Sequence, residues 1–322
     1  MGNGTELVRL ADKSGVEASA VSYDNLRQDQ HSMSPMKIAL RNLLFSVLII
    51  TGADAQNDIA TFDSGTVIVV EHLQDEVIMA TDSRLLTENN VAKDTCKIKI
   101  YKNIGVFAAS GSVHFSQTPD GESWLWDANR TAMEAFQMAR TMKGKEDKAT
   151  RAATIWGDRG REFFQMPLKA TNSQEFIREI HSNNDFGEIV EGIFAANESG
   201  TLTFVHAGIF LKEEGAGTYA IVTKIDPPSR VGTISVMGYS TIAQKFLTAT
   251  PTAWARTEFL KWKASLPKDL TKTQTEELFI SQLVQWTIDS KATNRVGGDV
   301  NTVVLDESGV RWLKRKEYCK GS

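Results

Sequence analysis

Cysteine is scarce in this sequence, and the residue patterns of metal sites are missing. Only Cys96 and Cys319 occur in 322 residues, with no Cys-x-x-Cys pair and no cluster of histidines at ligand spacing. A structural zinc site therefore has no support, and we expect no metal or other cofactor. The cysteines leave two alternatives open: one disulfide bond in an exported protein, or two unpaired thiols with Cys96 as a buried apolar filler.

A concentration of positive charge is also missing. The chain has 36 basic and 40 acidic residues, a net charge of −4, and its basic residues are scattered. We therefore expect no nucleic-acid partner. With 41% hydrophobic and 24% charged residues, the composition is that of a globular protein with a sizeable core.

Hydrophobic runs of the ~20 residues that a membrane-spanning helix needs are absent too. The apolar run Leu43 to Ile50 follows Lys37 and Arg41 and precedes Ala53-Asp54-Ala55. This order is typical of a secretory signal at 36–55, cleaved after Ala55, although a buried strand is the alternative. We expect export to the periplasm or the medium without a stable membrane anchor, and a cytoplasmic protein if 36–55 is not a signal.

The segments on either side of this signal are short and polar. Residues 1–35 are aperiodic, which indicates a disordered leader or a mis-assigned start with Met36 as the true initiator. Residues 56–65 would be a short propeptide once the signal is removed. No linker rich in proline or serine interrupts 66–322, so we interpret that stretch as one domain.

Strand and helix patterns alternate in blocks along this domain. Two β-branched runs around Gln74-Asp75-Glu76 predict a hairpin, and strands are expected at 97–101 and 104–109, the latter ending in a flexible turn at Ser110-Gly111-Ser112. Helices are predicted within 123–142, from Ser173, at 242–247 and around 280–288, with strands across 189–236 and 300–313. This order favours an α+β fold with sheets stacked between helix layers.

The opening of the domain, GTVIVVEHLQDEVIMATDSR, resembles the opening of proteasome β subunits, which are N-terminal-nucleophile hydrolases. Asp82-Ser83-Arg84 starts 16 positions after Thr66, and Lys97 lies 31 positions after it. The similarity extends to Ser110 and Gly111, to Gly238 at the head of a helix, and to GGDVNTVVLDESGVRWLKR near the end. The resemblance implies a four-layer αββα sandwich.

The same resemblance implies a chemistry. Thr66 would be the nucleophile, exposed when the chain cleaves itself after Gly65, and its α-amine with Lys97 would supply the base. Asp82 would hold the Lys97 ammonium, and the backbone N–H groups of Ser110 and Gly111 would bind the oxyanion. The expected activity is that of a threonine-type peptidase acting on a peptide or amide substrate. The family's assembly further implies a homo-oligomeric ring.

Two departures from the family pattern keep other functions open. Active members carry a serine directly after the glycine that corresponds to Gly238, where this chain has Tyr239 and only then Ser240, so Gly238 and Ser240 are the candidate supporting residues. Members also carry Asp-x-x-Ser before Gly-Gly, where this chain ends the motif in Val296. The alternatives are a catalytically inactive ring subunit and a non-proteolytic amide hydrolase.

Overall fold

The computed structural model describes residues 61–62, 66–86, 92–117, 124–170, 173–183, 187–215 and 217–320. These residues belong to one compact unit, Ile59–Ser322. The predicted leader and signal lie outside the described residues, as does Gly65, so what was predicted for them stays a prediction.

The described part of the chain is a mixed α/β structure with antiparallel sheets. The strands, numbered along the chain, are β1 (Thr61–Phe62), β2 (Val67–His72), β3 (Glu76–Asp82), β4 (Arg84–Leu86), β5 (Ala92–Asp94), β6 (Ile98–Tyr101), β7 (Gly105–Gly111), β8 (His114–Gln117), β9 (Trp124–Asp127), β10 (Glu188–Glu198), β11 (Thr201–Gly215), β12 (Thr218–Ile225), β13 (Ile234–Gly238), β14 (Val300–Asp306) and β15 (Gly309–Lys314). The helices are α1 (Ala128–Thr141), α2 (Lys148–Lys169), α3 (Ser173–Asn183), α4 (Thr241–Leu247), α5 (Ala253–Ser265) and α6 (Lys272–Asp289), and a 3₁₀ turn spans Glu317–Cys319.

Two five-stranded sheets contain most of these strands. Sheet I has the order β13-β2-β3-β14-β15, and sheet II has the order β12-β11-β10-β7-β6. Short sheets form from β1, β8 and β9 and from β4 and β5. Strand β1, which lies in the predicted propeptide, pairs with β8 through Thr61 opposite Ser116, so the strands before and after residue 65 belong to different sheets.

Alternating residues of the sheets enter different apolar clusters. In β2, Val67 and Val69 pack with α4, α5 and α6, whereas Ile68 and Val70 pack with residues of sheet II such as Ile193. The other face of sheet II packs against α1, α2 and α3 in the largest cluster. Because side chains alternate along a strand, a strand that is apolar at every position can serve two cores at once.

Local signals explain where the helices begin. Asp127 caps α1 by accepting a hydrogen bond from Arg130 N at 2.9 Å, and Asp147 caps α2 by accepting one from Thr150 N at 3.0 Å. Thr271 and Gln274 form a reciprocal capping box at the start of α6. Each such cap satisfies amide groups that the first helical turn leaves unpaired.

Several local predictions are confirmed and others are wrong. The hairpin β2–β3, the helices α3, α4 and α6, and the final hairpin β14–β15 lie where the sequence predicts them. The predicted helix within 123–142 is wrong at its start, because Leu125 lies in β9 with its side chain 57% exposed. The sequence also failed to indicate α2 and α5.

Candidate active site

Thr66 lies directly before β2 with only 3% of its surface exposed. Its carbonyl oxygen accepts a hydrogen bond from Tyr239 N at 2.8 Å, which extends the pairing of β2 with β13. The neighbouring residue on β13, Gly238, has φ +71°, and a Cβ there would lie 2.1 Å from Thr66 O. Gly238 therefore allows a backbone approach that fixes the position of Thr66.

Asp82 and Lys97 form a buried ion pair beside Thr66. Asp82 is the last residue of β3, Lys97 comes one residue before β6, and Lys97 Nζ lies 2.9 Å from Asp82 Oδ1. The same carboxylate accepts hydrogen bonds from Val67 N at 3.0 Å and Gly297 N at 3.1 Å. Asp82 thus joins the residue after Thr66, the lysine and the loop before β14.

Burial affects both partners of this pair. It lowers the pKa of Lys97, against the opposing effect of Asp82. It also raises the pKa of Asp82, against the opposing effects of Lys97 and of the two backbone N–H groups. The charged and neutral forms of the pair therefore lie closer in free energy than they would in water, a property that suits a site through which a proton passes.

The loop at Gly297-Gly298 is fixed against the end of β3. Gly297 O accepts hydrogen bonds from Ser83 N at 3.3 Å and Arg84 N at 3.0 Å. Ser83 Oγ donates to Asp94 Oδ1 and accepts from Asp299 N, each at 2.8 Å. These contacts hold Gly297 N against Asp82, a supporting role that the sequence pattern of two glycines did not reveal.

Ser110 and Gly111 do not form the predicted flexible turn. They are the last residues of β7 and pair with Glu191 and Val190 of β10, and Ser110 is 1% exposed. The turn prediction is wrong because this pairing with β10 engages one edge of a backbone that the small residues alone suggested was free. On its other side β7 pairs with β6 only as far as Ala108, so β6 does not cover the backbone of Ser110 and Gly111.

The two predicted supporting residues differ in their relation to Thr66. Gly238 contacts the Thr66 backbone as described above. Ser240 lies directly before α4, and its Oγ accepts a hydrogen bond from Gln244 Nε2 at 2.9 Å. Tyr239 holds Thr66 through its backbone N–H. Val296 is 3% exposed in the core under sheet I.

The cysteines are paired, which settles the alternative that the sequence left open. Cys96 and Cys319 form a disulfide across a sequence separation of 223 residues, so Cys96 is not a plain apolar filler. The bond fastens the C-terminal 3₁₀ turn to the residue that precedes Lys97. Covalent attachment at this position restrains the backbone from which the Lys97 side chain extends.

A cavity of about 150 Å³, here called the Thr66 pocket, opens beside these groups. Its lining comes from the two segments that carry the ion pair and from the β8–β9 hairpin with the start of α1. The lining residues are Thr66, Leu85, Thr95, Cys96, Lys97, Lys99, Ala109, Val113, His114, Asp127 and Asn129. Thr66 and Lys97 therefore border one cavity.

A wider cleft of about 870 Å³ lies among α4, α5 and α6, and it includes none of the predicted site residues. Within the described ranges, no group of three or more His, Cys, Asp or Glu side chains is arranged to hold a metal ion. No helix in the part of the chain that the structure describes is long and apolar enough to cross a membrane.

Comparison with known proteins corrects the family prediction. No model of a protein family matches this chain, and no curated protein matches it. Similar solved structures include Anbu (ancestral beta-subunit) from Yersinia bercovieri, with 11% identity and TM-score 0.43 over 78% of this chain and 88% of that one. Anbu from Hyphomicrobium sp. strain MC1 has 12% identity and TM-score 0.39 over 78% and 88%.

The helical assembly of the Anbu complex from Pseudomonas aeruginosa is a third similar structure, with 13% identity and TM-score 0.43 over 78% of this chain and 87% of that one. The assignment to the proteasome β-subunit family is therefore wrong, since no family model supports it and these neighbours are Anbu proteins. At such identities and TM-scores the similarity carries no function to this chain, whose site has to be judged by its own geometry.

Proposed function

We propose that the protein is an amide hydrolase of the threonine-peptidase type, with Thr66 as its nucleophile. The observation that carries the proposal is the Asp82 carboxylate, which binds Val67 N and the Lys97 ammonium at once. One buried carboxylate thereby fixes Thr66 against a lysine, and both line the Thr66 pocket. A buried ion pair beside a hydroxyl at a cavity is the arrangement that nucleophilic catalysis uses.

The proposed chemistry requires cleavage of the bond between Gly65 and Thr66. An amide nitrogen is not basic, whereas a free α-amine has a pKa near ~7.7–8.0 and can accept a proton at neutral pH. The Thr66 Oγ proton passes to this amine as Oγ bonds to the substrate carbonyl carbon. The amine then gives the proton to the leaving nitrogen, and water hydrolyses the ester that remains on Oγ.

Two nearby groups would lower the barrier to these steps. The Lys97 charge stabilises the oxyanion form of the Thr66 hydroxyl, which lowers the pKa of that hydroxyl. Of the predicted pair Ser110 and Gly111, the residue whose backbone N–H lies on the edge of β7 that β6 leaves uncovered is the proposed donor to the tetrahedral oxyanion. Loss of one such donor costs about 10²–10³ in rate.

The strands around the cleaved bond support self-cleavage. β1 ends at Phe62 and pairs with β8, whereas β2 begins at Val67 and belongs to sheet I. The described chain is thus anchored by strand pairing in β1, which ends at Phe62, and again in β2, which begins at Val67, on the two sides of the proposed cleavage site. Holding two reacting groups in place is itself worth several kcal/mol of barrier, up to roughly 7–11 in favourable cases.

A catalytically silent scaffold is the second candidate. Ser240 Oγ is hydrogen-bonded to Gln244, and Val296 is an apolar core residue, so neither position offers the Thr66 amine a polar side chain. If catalysis requires a polar side chain at these positions, the protein folds but hydrolyses no substrate.

Hydrolysis of a fluorogenic peptide amide by the wild type, Thr66→Ala and Thr66→Ser decides between the two candidates. The proposal expects turnover by the wild type, reduced turnover by Thr66→Ser and none by Thr66→Ala, because alanine has no oxygen to form the ester. Circular dichroism should show all three folded. No turnover by any of the three would leave the scaffold, and equal non-zero rates for the wild type and Thr66→Ala would refute Thr66 as the nucleophile.

We also infer that the elements stack as helix, sheet, sheet and helix. The support is the three separate apolar clusters, one on the outer face of each five-stranded sheet and one shared by the two sheets. Export is proposed as well, since a disulfide such as Cys96–Cys319 persists in oxidising compartments. Fractionation tests export, and light scattering tests the predicted homo-oligomer.

A further inference from the structure

The Thr66 pocket contains a second lysine that the proposed chemistry does not use. Lys97 and Lys99 lie two residues apart on one extended segment, so their side chains leave the same face of sheet II, and both line the pocket. Lys97 is paired with Asp82. The backbone of Lys99 pairs with Phe107 of β7, whereas its ammonium has no ion pair within 4.0 Å and no hydrogen-bond partner among the described residues.

The charged groups that face Lys99 are already engaged. Asp127, which acts on Lys99 electrostatically without pairing with it, caps α1 by accepting a hydrogen bond from Arg130 N at 2.9 Å. Its other oxygen lies 3.7 Å from His114 Nδ1. Burial lowers the pKa of Lys99, and Asp127 opposes that effect. Lys99 is thus a partly desolvated cation, and the Asp127 carboxylate that acts on it is already hydrogen-bonded to the start of α1.

A second unpaired group lies in the same pocket. Asn129 Oδ1 is buried and has no hydrogen-bond partner within the described ranges. Because nothing fixes that oxygen, the amide can turn and present its NH₂ to an acceptor. An acceptor that entered the pocket would therefore meet the Lys99 ammonium and the Asn129 amide together.

The size and position of the pocket limit what the acceptor can be. Its volume of about 150 Å³ is below the roughly 300–1,000 Å³ of a pocket for a drug-sized ligand, and suits one amino-acid side chain. Since Thr66 lines the pocket, the side chain that enters belongs to the residue whose carbonyl Thr66 attacks. This step rests on the proposed function.

We propose that Lys99 makes the Thr66 pocket selective for amide substrates whose acyl-side residue carries a carboxylate, as glutamate does. The carboxylate accepts hydrogen bonds from Lys99 Nζ and from the Asn129 amide, and it supplies the counter-ion that Lys99 lacks. Hydrogen bonds to charged groups contribute enough free energy to give glutamate a preference of roughly 10- to 100-fold over glutamine, the matching amide side chain.

The test uses four peptide amides that differ only in the acyl-side residue: glutamate, glutamine, leucine or lysine. The wild-type full chain should show the highest kcat/KM for glutamate. Lys99→Met should reduce the glutamate-to-glutamine ratio to near one, and Lys99→Glu should shift the preference to lysine. Lys93→Met, which removes an exposed lysine on β5 outside the pocket, should keep the wild-type ratio.

A binding measurement on the same preparations separates this proposal from the proposed function. Peptides that end in glutamate or glutamine are titrated by calorimetry, which needs no turnover. Tighter binding of the glutamate peptide that Lys99→Met abolishes supports the proposal even if no substrate is hydrolysed, an outcome that would overturn only the hydrolase function. An equal glutamate-to-glutamine ratio in the wild type, or one that Lys99→Met leaves unchanged, overturns the proposal.

Discussion

Replacing Lys97 with methionine separates the charge of this residue from its size. Methionine keeps most of the apolar stem but removes the ammonium that lies 2.9 Å from Asp82. We expect turnover of a peptide amide to fall by about 10²–10⁴-fold, the range in which positioned proton-transfer groups contribute. Cleavage after Gly65 should fail for the same reason.

The same substitution has a stability cost that can be bounded. Removing one partner of a buried ion pair typically costs about 3–5 kcal/mol, because the other charge is left buried and unpaired. Asp82 keeps its hydrogen bonds from Val67 N and Gly297 N, and it can become protonated, so we expect a loss at the lower end of this range.

The stability loss of Lys97→Met depends on pH, and the pKa of Asp82 gives the direction of this dependence. Burial raises the pKa of Asp82, and Lys97 opposes the rise, so the substitution raises the pKa further. The folded variant then holds a proton that the unfolded chain releases, and its stability falls as pH rises above the unfolded value near 3.8. Urea denaturation at pH 5 and pH 8 should show a larger loss at pH 8.

Lys93→Met is the matched control, since it makes the same change at an exposed lysine on the neighbouring strand β5. Its effect on stability should stay within about 0.5 kcal/mol. The reasoning about Lys97 is refuted if Lys97→Met hydrolyses the substrate at the wild-type rate, or if the two variants lose the same stability.

Three further predictions concern the surroundings of the site. Cys319→Ser opens a loop of 223 residues, and urea denaturation should show a loss of about 2–5 kcal/mol together with lower turnover. Gly238→Ala forces a Cβ against Thr66 O at φ +71°, so kinetics and denaturation should show lost turnover and a strain cost of about 1–3 kcal/mol or more. Burial raises the pKa of Glu71 from 4.5 to about 8, so the folded chain holds a proton there and stability falls as pH rises from 4.5 through 8. Glu71→Gln should remove this fall, which is on the order of 5 kcal/mol over that range.

Each of these predictions has an outcome that contradicts it. Unchanged stability of Cys319→Ser would show that the bond does not form in solution. Gly238→Ala with wild-type turnover would mean that the approach of β13 does not position Thr66. If Glu71→Gln keeps the wild-type slope of stability against pH, Glu71 is ionised in the folded chain at neutral pH.

The parts of the fold that the sequence predicts are those with local signals. The β2–β3 hairpin was predicted because each strand is a dense β-branched run and a polar turn separates them. Helix α2 was not, because small residues such as Ala152 and Gly160 stand beside Trp156 and Phe164 on its buried face and interrupt the stripe of large apolar residues. A Cβ at Gly160 would lie 2.0 Å from Ile209 Cδ1, so close packing against β11 replaces the periodic signal.

In the candidate site, too, the sequence predicts only what has a local signal. The sequence predicts Thr66, Asp82 and Lys97 as site residues. The described structure places Thr66 and Lys97 at one pocket and pairs the buried Asp82 with Lys97, while their roles stay predictions. Gly297 N, which binds Asp82 across 215 residues, has no local sequence signal. Neither does the pairing of Cys96 with Cys319, because contacts between distant segments depend on how the sheets associate.

The central claim is tested most directly by the intact mass of the purified wild-type chain, with Thr66→Ala measured beside it. If Thr66 attacks the carbonyl of Gly65, the mass of the wild type corresponds to a chain that begins at Thr66, and Thr66→Ala keeps the residues before it. A wild-type chain that retains Gly65, or one with the same N-terminus as Thr66→Ala, would contradict the account.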